Sequence, residues 1–127
     1  MGERKPLVAA NWKMNGNAES LELLLNGVLS ELSVLALRRC SVLVFPSYVH
    51  LGQVAQKLQG FSVGVGSQDV DQRTQGAVTG GVSAAMVRDA GCGFALVGHS
   101  ERRTLFADTD ELVADKFEQC GLHELAS

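Results

Sequence analysis

The sequence predicts an α/β fold organised on a parallel sheet. Three observations predict it. Short apolar runs recur at residues 7–10, 42–45, 61–65 and 94–97, each the length of a strand buried on both faces and too short for a helix. Each run is followed by a segment with helical spacing or a helix-start signal, so the order is strand then helix, four times. Polar, glycine-bearing loops lie between strand ends and helix starts. Strands joined through helices are parallel and connected by right-handed crossovers. In such sheets ligands bind beyond the carboxyl ends of the strands, so chemistry is to be sought there.

The first strand, residues 7–10, runs into Asn11-Trp12-Lys13-Met14-Asn15-Gly16, a polar loop with one ammonium and two amides. Asn17 can cap the helix that follows. Leu21, Leu24, Leu25, Val28 and Leu32 then recur at helical spacing and form one apolar stripe. Gly27 inside it weakens the helix by about 1 kcal/mol against alanine. The second strand, 42–45, is stopped by Pro46, and Ser47 is placed to cap a helix with Leu51, Val54, Ala55 and Leu58 on one face and Gly60 at its end. The third strand, 61–65, opens into a polar loop, 66–81, rich in Gln, Asp, Thr and Gly. A loop of that length in a compact domain is usually functional or a partner contact. Ser83 starts a short helix that ends at Gly91, and the fourth strand is 94–97. Asp108, with Glu111 three residues later, resembles a capping box with Asp as the N-cap of a helix carrying Leu112, Val113, Phe117 and Cys120.

Composition narrows the function classes. The 127 residues suffice for one domain with a core, and 46% are hydrophobic, which excludes a disordered chain. Net charge is −3 with no basic stripe, which argues against nucleic acid. No apolar run approaches ~18 residues, so no spanning helix and no membrane partner is expected. Residues 1–6 carry charge, and no signal-like apolar region follows them. Cys40, Cys92 and Cys120 are odd in number and form no CxxC, which fits reduced thiols in a cytoplasmic protein. His50, His99 and His123 have no metal-ligand spacing, so no metal is expected. GxGxxG and GxxxxGK[ST] are absent, and GHSERR is not a GxSxG elbow.

Two clusters carry candidate chemistry. In Phe94-Ala95-Leu96-Val97-Gly98-His99-Ser100-Glu101-Arg102-Arg103 an apolar strand meets a glycine, a histidine and a block of charge. Gly98 permits a turn or a close approach to a ligand. Ser100 and Glu101 suit a helix start, whose amides and positive dipole end face the same spot as His99. At the end of the first strand Lys13 offers a cation to an anionic substrate, and His99 is a suitable donor to a carbonyl oxygen.

Asn11-Trp12-Lys13-Met14-Asn15 after strand one and Val97-Gly98-His99-Ser100-Glu101-Arg102-Arg103 after strand four resemble the triosephosphate isomerase family. Gly76-Ala77-Val78-Thr79-Gly80-Gly81-Val82-Ser83 is similar to that family's intersubunit loop. The resemblance covers roughly residues 6 to 119. It implies a (β/α)8 TIM-barrel family fold of which residues 1–127 hold the first four βα units, a half-barrel. It implies interconversion of dihydroxyacetone phosphate and D-glyceraldehyde 3-phosphate by proton transfer through an enediolate, without cofactor, in a cytoplasmic homodimer. By resemblance, Lys13 binds the substrate and offsets charge on its oxygens, and Asn11 hydrogen-bonds the substrate. His99 polarises the carbonyl and shuttles protons, while Glu101 holds the lysine. Thr79 and Arg102 make intersubunit contacts. The family is itself the standard illustration of a neutral imidazole electrophile held at a helix N-terminus, so that property of His99 comes with the resemblance.

Departures shape the expectation. The family barrel has eight units in ~250 residues, and this chain has four. No residue matches the family's catalytic glutamate, its lid or its late phosphate-binding loops. Residues 120–127 do not resemble the family, and no apolar fifth strand follows, as a truncation or a shifted reading frame would produce. Gly81 stands where the family usually has a glutamate that pairs with the arginine at the position of Arg102 in the other subunit, and Val78 replaces a usual aromatic. The expected function is therefore triosephosphate isomerase, inactive as this isolated chain. The alternative is a non-catalytic half-barrel that binds anions or assembles with another chain.

Overall fold

The structure, a computed structural model, describes residues 4–127; residues 1–3 of the charged amino-terminal segment lie outside the described residues. Four parallel strands lie in chain order: β1 (Leu7–Asn11), β2 (Ser41–Phe45), β3 (Val63–Ser67) and β4 (Phe94–Ala95). Six helices connect and follow them: α1 (Ala18–Glu31), α2 (Val34–Arg39), α3 (Leu51–Leu58), α4 (Ala84–Asp89), α5 (Ser100–Phe106) and α6 (Asp110–Leu122).

Strand alternation divides the sheet into two faces. Val44, Val63, Val65 and Ala95 belong to the buried cluster with Leu25 of α1, Leu51, Val54 and Leu58 of α3, Ala84 and Val87 of α4, and Cys120 of α6. That face packs on the helices. The opposite face carries Leu43 and Phe45, with Gly64 in register with Leu43 and Gly66 in register with Phe94. A Cβ on Gly64 would collide with Leu43 and Phe94, and one on Gly66 with Phe45. The two glycines let these larger side chains close over β3, and Leu43 and Phe45 are buried there.

Helix starts follow capping chemistry, with corrections to the sequence-based expectations. Asn17 caps α1 in a reciprocal box with Ser20, an arrangement of about 1 kcal/mol. The apolar stripe splits: Leu21 and Leu25 are buried while Leu24 is 45% exposed. A separate helix, α2, follows, capped by Ser33, whose hydroxyl accepts the Ala36 N–H at 3.1 Å. Ser47 does not cap α3. A 3-10 turn at Tyr48–His50 precedes that helix, and the Ser47 hydroxyl donates instead to the Lys13 carbonyl at 2.9 Å. Phe61 is exposed in the turn after α3, closing a bond to Leu58, so β3 begins at Val63. The ladder of β4 is shorter than expected because the chain turns away toward Gly98 at φ 67; beyond it Leu96 N–H still donates to the Ser67 carbonyl at 2.9 Å. At the end of the chain Leu125 is buried, and Ala126 forms a parallel bridge with Phe94 on the open edge of β4.

Asp108 is not the N-cap of α6. Thr109 caps it, accepting from Leu112 N–H at 3.2 Å. Asp108 is buried in a charged network: Lys116 Nζ lies 2.7 Å from Asp108 and 2.8 Å from Asp69, and Arg102 lies 3.5 and 3.3 Å from the same two carboxylates. Arg102 also stacks over Phe106 at 4.2 Å. Burial raises the Asp108 carboxyl pKa, but the Lys116 hydrogen bond and charge, with Arg102, outweigh it and hold the carboxyl below its ordinary value. The network ties the end of β3 to α5 and α6.

Two outcomes test this packing. A Cβ on Gly27 meets nothing, so Gly27→Ala raises unfolding free energy by about 1 kcal/mol in urea titration. Lys116→Met leaves two carboxylates without their buried cation and costs about 3 kcal/mol. Because native Asp108 is depressed, its contribution is present above the ordinary value of 3.8 and is lost as pH falls through the lower native value. Asp108→Asn removes that segment of the stability-against-pH curve.

Candidate active site

The parallel register brings the ends of the strands to one level, with Asn11 opposite Phe45. Lys13, two residues past β1, has φ 55, a left-handed conformation that a non-glycine residue rarely adopts. Its N–H donates to Asn11 Oδ1 at 2.9 Å, and its carbonyl accepts from Ser47 Oγ at 2.9 Å and Gln68 Nε2 at 2.8 Å. Gln68 also donates to the Phe45 carbonyl at 2.9 Å, which accepts the Trp12 N–H at 3.1 Å. Among the described residues the Nδ2 amide of Asn11 has no protein partner and remains a free donor.

The Lys13 side chain reaches across the strand ends to α5. Its Nζ lies 2.5 Å from Glu101 Oε1. The hydrogen bond from Lys13 holds the Glu101 carboxyl below its ordinary value, against a small opposing effect of burial. The other oxygen of Glu101 is 3.8 Å from His99 Nδ1. His99, rather than Ser100, is the N-cap of α5: its Nδ1 accepts the Glu101 backbone N–H at 3.1 Å. An Nδ1 that accepts carries no proton, so the ring proton of the neutral imidazole is on Nε2, directed away from the helix. Gly98, with φ 67, makes the turn that sets the ring there, and a side chain at this position would press on Val113.

The structure thus brings Asn11, Lys13, His99 and Glu101 together. It does not bring Thr79 or Arg102 into this cluster. Thr79 is exposed in the turn of the loop after β3. That loop is pinned by Asp71 N–H to the Val82 carbonyl at 2.8 Å and by the Asp71–Arg73 pair at 2.8 Å, and the Arg73 hydrogen bond holds the Asp71 carboxyl low. Arg102 faces a polar cavity of about 340 Å³ bordered by Tyr48, Gly81 and Lys116. Burial and the neighbouring Asp69 push the Tyr48 hydroxyl pKa up. Sequence reasoning missed Ser47 and Gln68. Their signal was position: each is among the first polar residues after a strand, the same rule that picked out Lys13 and His99. No group of three or more His, Cys, Asp or Glu is set to hold a metal ion among the described residues.

Fold and site together define half of a parallel α/β barrel with a polar cluster at the carboxyl ends of its strands. The model of the family described as triosephosphate isomerase matches residues 6–127, and the chain belongs to that family. The triosephosphate isomerase of Photorhabdus laumondii is 42% identical over 114 residues, which are 90% of this chain and 44% of that protein. That of Dechloromonas aromatica is 47% identical over 119 residues, 91% of this chain and 45% of that protein. The crystal structure of triosephosphate isomerase from Bartonella henselae superposes with a TM-score of 0.83 at 30% identity, over 96% of this chain and 49% of the other. The chain spans about half the length of the curated relatives it matches.

Lys13→Gly removes the backbone strain and an ion pair whose partners are half exposed and contribute little. It raises stability by about 1 kcal/mol, and the Glu101 carboxyl returns toward its ordinary value. Denaturant unfolding and carbon-13 NMR titration of Glu101 check both.

Proposed function

We propose that this chain carries the substrate-binding and electrophilic half of a triosephosphate isomerase site, acting on dihydroxyacetone phosphate and D-glyceraldehyde 3-phosphate. The observation that carries this reading is the meeting of a strained, clamped Lys13 with Glu101 and the Nδ1-capped His99 at the strand ends. An ammonium there attracts the dianionic substrate and offsets the charge that develops on its oxygens as the enediolate forms. The Nε2–H of His99 donates to the carbonyl oxygen, then passes protons between the two oxygens. The free Nδ2 of Asn11 supplies a further donor. Glu101, engaged by Lys13, orients the lysine rather than taking the carbon-bound proton.

The removal of that proton needs a base, and no residue of these 127 matches the family's base. We infer that the chain on its own turns nothing over, and that the cytoplasm and a homodimer are the setting of the whole family enzyme whose first half it carries. Exposed Met14, next to Lys13, and exposed Val49, just after β2, support an assembly on this side. A second reading, a half-barrel that binds anions or assembles without catalysis, is favoured by one observation: Arg102 is engaged by its own Asp69 and Asp108, and Gly81 offers it no carboxylate.

The test is a coupled isomerase assay on the 127-residue chain purified from a host lacking its own enzyme. No turnover above the blank is expected, with weak binding of dihydroxyacetone phosphate seen as shifts of the His99 and Asn11 resonances. Clear turnover overturns the inference of inactivity, and absence of those shifts removes the isomerase reading in favour of the second. In any assembly that restores turnover, Lys13→Met is expected to leave less than about a tenth of it; greater retention removes the role given to Lys13.

A further inference from the structure

We propose that Ser47 and Gln68 are positioning residues for Lys13, acting through its carbonyl oxygen to hold the ammonium on the substrate side of the strand ends. The proposal rests on the reading that Lys13 faces the phosphosugar.

A left-handed φ on a lysine is strained and persists only where surrounding contacts over-determine it. Here the contacts are specific. Three residues from three strand ends grip one residue by the peptides on both its sides: Asn11 accepts the Lys13 N–H, while Ser47 and Gln68 both donate to the Lys13 carbonyl. Gln68 uses its two amide hydrogens on two carbonyls, Lys13 at 2.8 Å and Phe45 at 2.9 Å. It therefore references the position of Lys13 to the end of β2, which the ladder with β1 already holds in register. Ser47 closes the same link from the residue after Pro46.

The clamp has a consequence for the side chain. With N–H and C=O both fixed, the direction of the Lys13 Cα–Cβ bond is fixed, and the long flexible stem starts from one place. Relaxation of Lys13 to an ordinary extended or helical φ would swing that bond and draw Nζ off Glu101 Oε1. The left-handed backbone and the cross-site pair are thus two ends of one device. Exposed ion pairs are weak, so the 2.5 Å contact depends on the backbone that presents it.

The experiment uses the 127-residue chain labelled for NMR, with Ser47→Ala, Gln68→Met and the double variant. The backbone angle of Lys13 is read from its amide–Hα coupling and Cα shift, and its hold on Glu101 from the carboxyl titration. In the double variant both are expected to move: Lys13 leaves the left-handed range and the Glu101 midpoint rises toward its ordinary value. Ser47→Thr, which keeps the hydroxyl, preserves both. Gln53→Met, which removes a similar amide donor to the Ala18 carbonyl, lowers stability without moving either. An unchanged Lys13 angle and an unchanged Glu101 midpoint in the double variant overturn the proposal, as does an equal response to Gln53→Met. Binding of dihydroxyacetone phosphate separates this proposal from the reading beneath it. The double variant is expected to weaken that binding about tenfold, as Lys13→Met does. If Lys13→Met leaves binding unchanged while the double variant releases the Lys13 angle, the clamp stands and the substrate role of Lys13 falls.

Discussion

The register between β1 and β2 is the constraint on which the site depends. With Asn11 opposite Phe45, the residues just beyond each strand arrive at one level. The Phe45 carbonyl then accepts both Trp12 N–H and Gln68 Nε2. A slip of one residue would reverse every side chain of a strand between the helix-packed face and the inner face. Leu43 and Phe45 would change places with Val44, and the glycines of β3 would no longer lie under large neighbours. Packing on both faces therefore enforces the register, and the register in turn presents Lys13.

A second layer of order is electrostatic. Lys116 and Arg102, two cations, share Asp69 and Asp108, two anions. Lys116 and Asp108, the two buried members, are tolerated because each is paired at 2.7 Å and has a further partner in Asp69 or Arg102. The network joins the segment after β3 to α5 and α6, and so sets where α5 starts. His99 sits at that start and caps it. The position and tautomer of the histidine thus follow from a helix held by salt bridges on its far side.

The same network accounts for the behaviour of Arg102. Arg102 is paired within its own chain with Asp69 and Asp108, and it lines a cavity with Gly81. Its guanidinium, half-buried, lies 3.3 Å from Asp69 and 3.5 Å from Asp108, and residues 76–81 carry no carboxylate.

Much was legible from sequence because it depends on local chemistry. The Asn17 cap, the Ser83 start and the glycine before His99 are read from neighbouring residues and stand in the structure; the four apolar runs each become a strand, with β3 starting two residues later and β4 ending two residues earlier than the runs themselves. The motifs around Lys13 and His99 were legible because they are long and specific. What the sequence could not show was which of several competent partners each polar residue takes. Ser47 and Asp108 are both good helix caps by type. One instead binds a carbonyl 34 residues away and the other a buried lysine, because tertiary packing brings stronger partners within reach. The left-handed Lys13 and the role of Gln68 were likewise invisible, since backbone strain is sustained only by contacts between separate strands. The sequence by itself determined the alternation of four strands with helices and which polar residues stand at the strand ends. Only the tertiary structure decided how the cation is held, because that depends on distances between residues far apart in the chain.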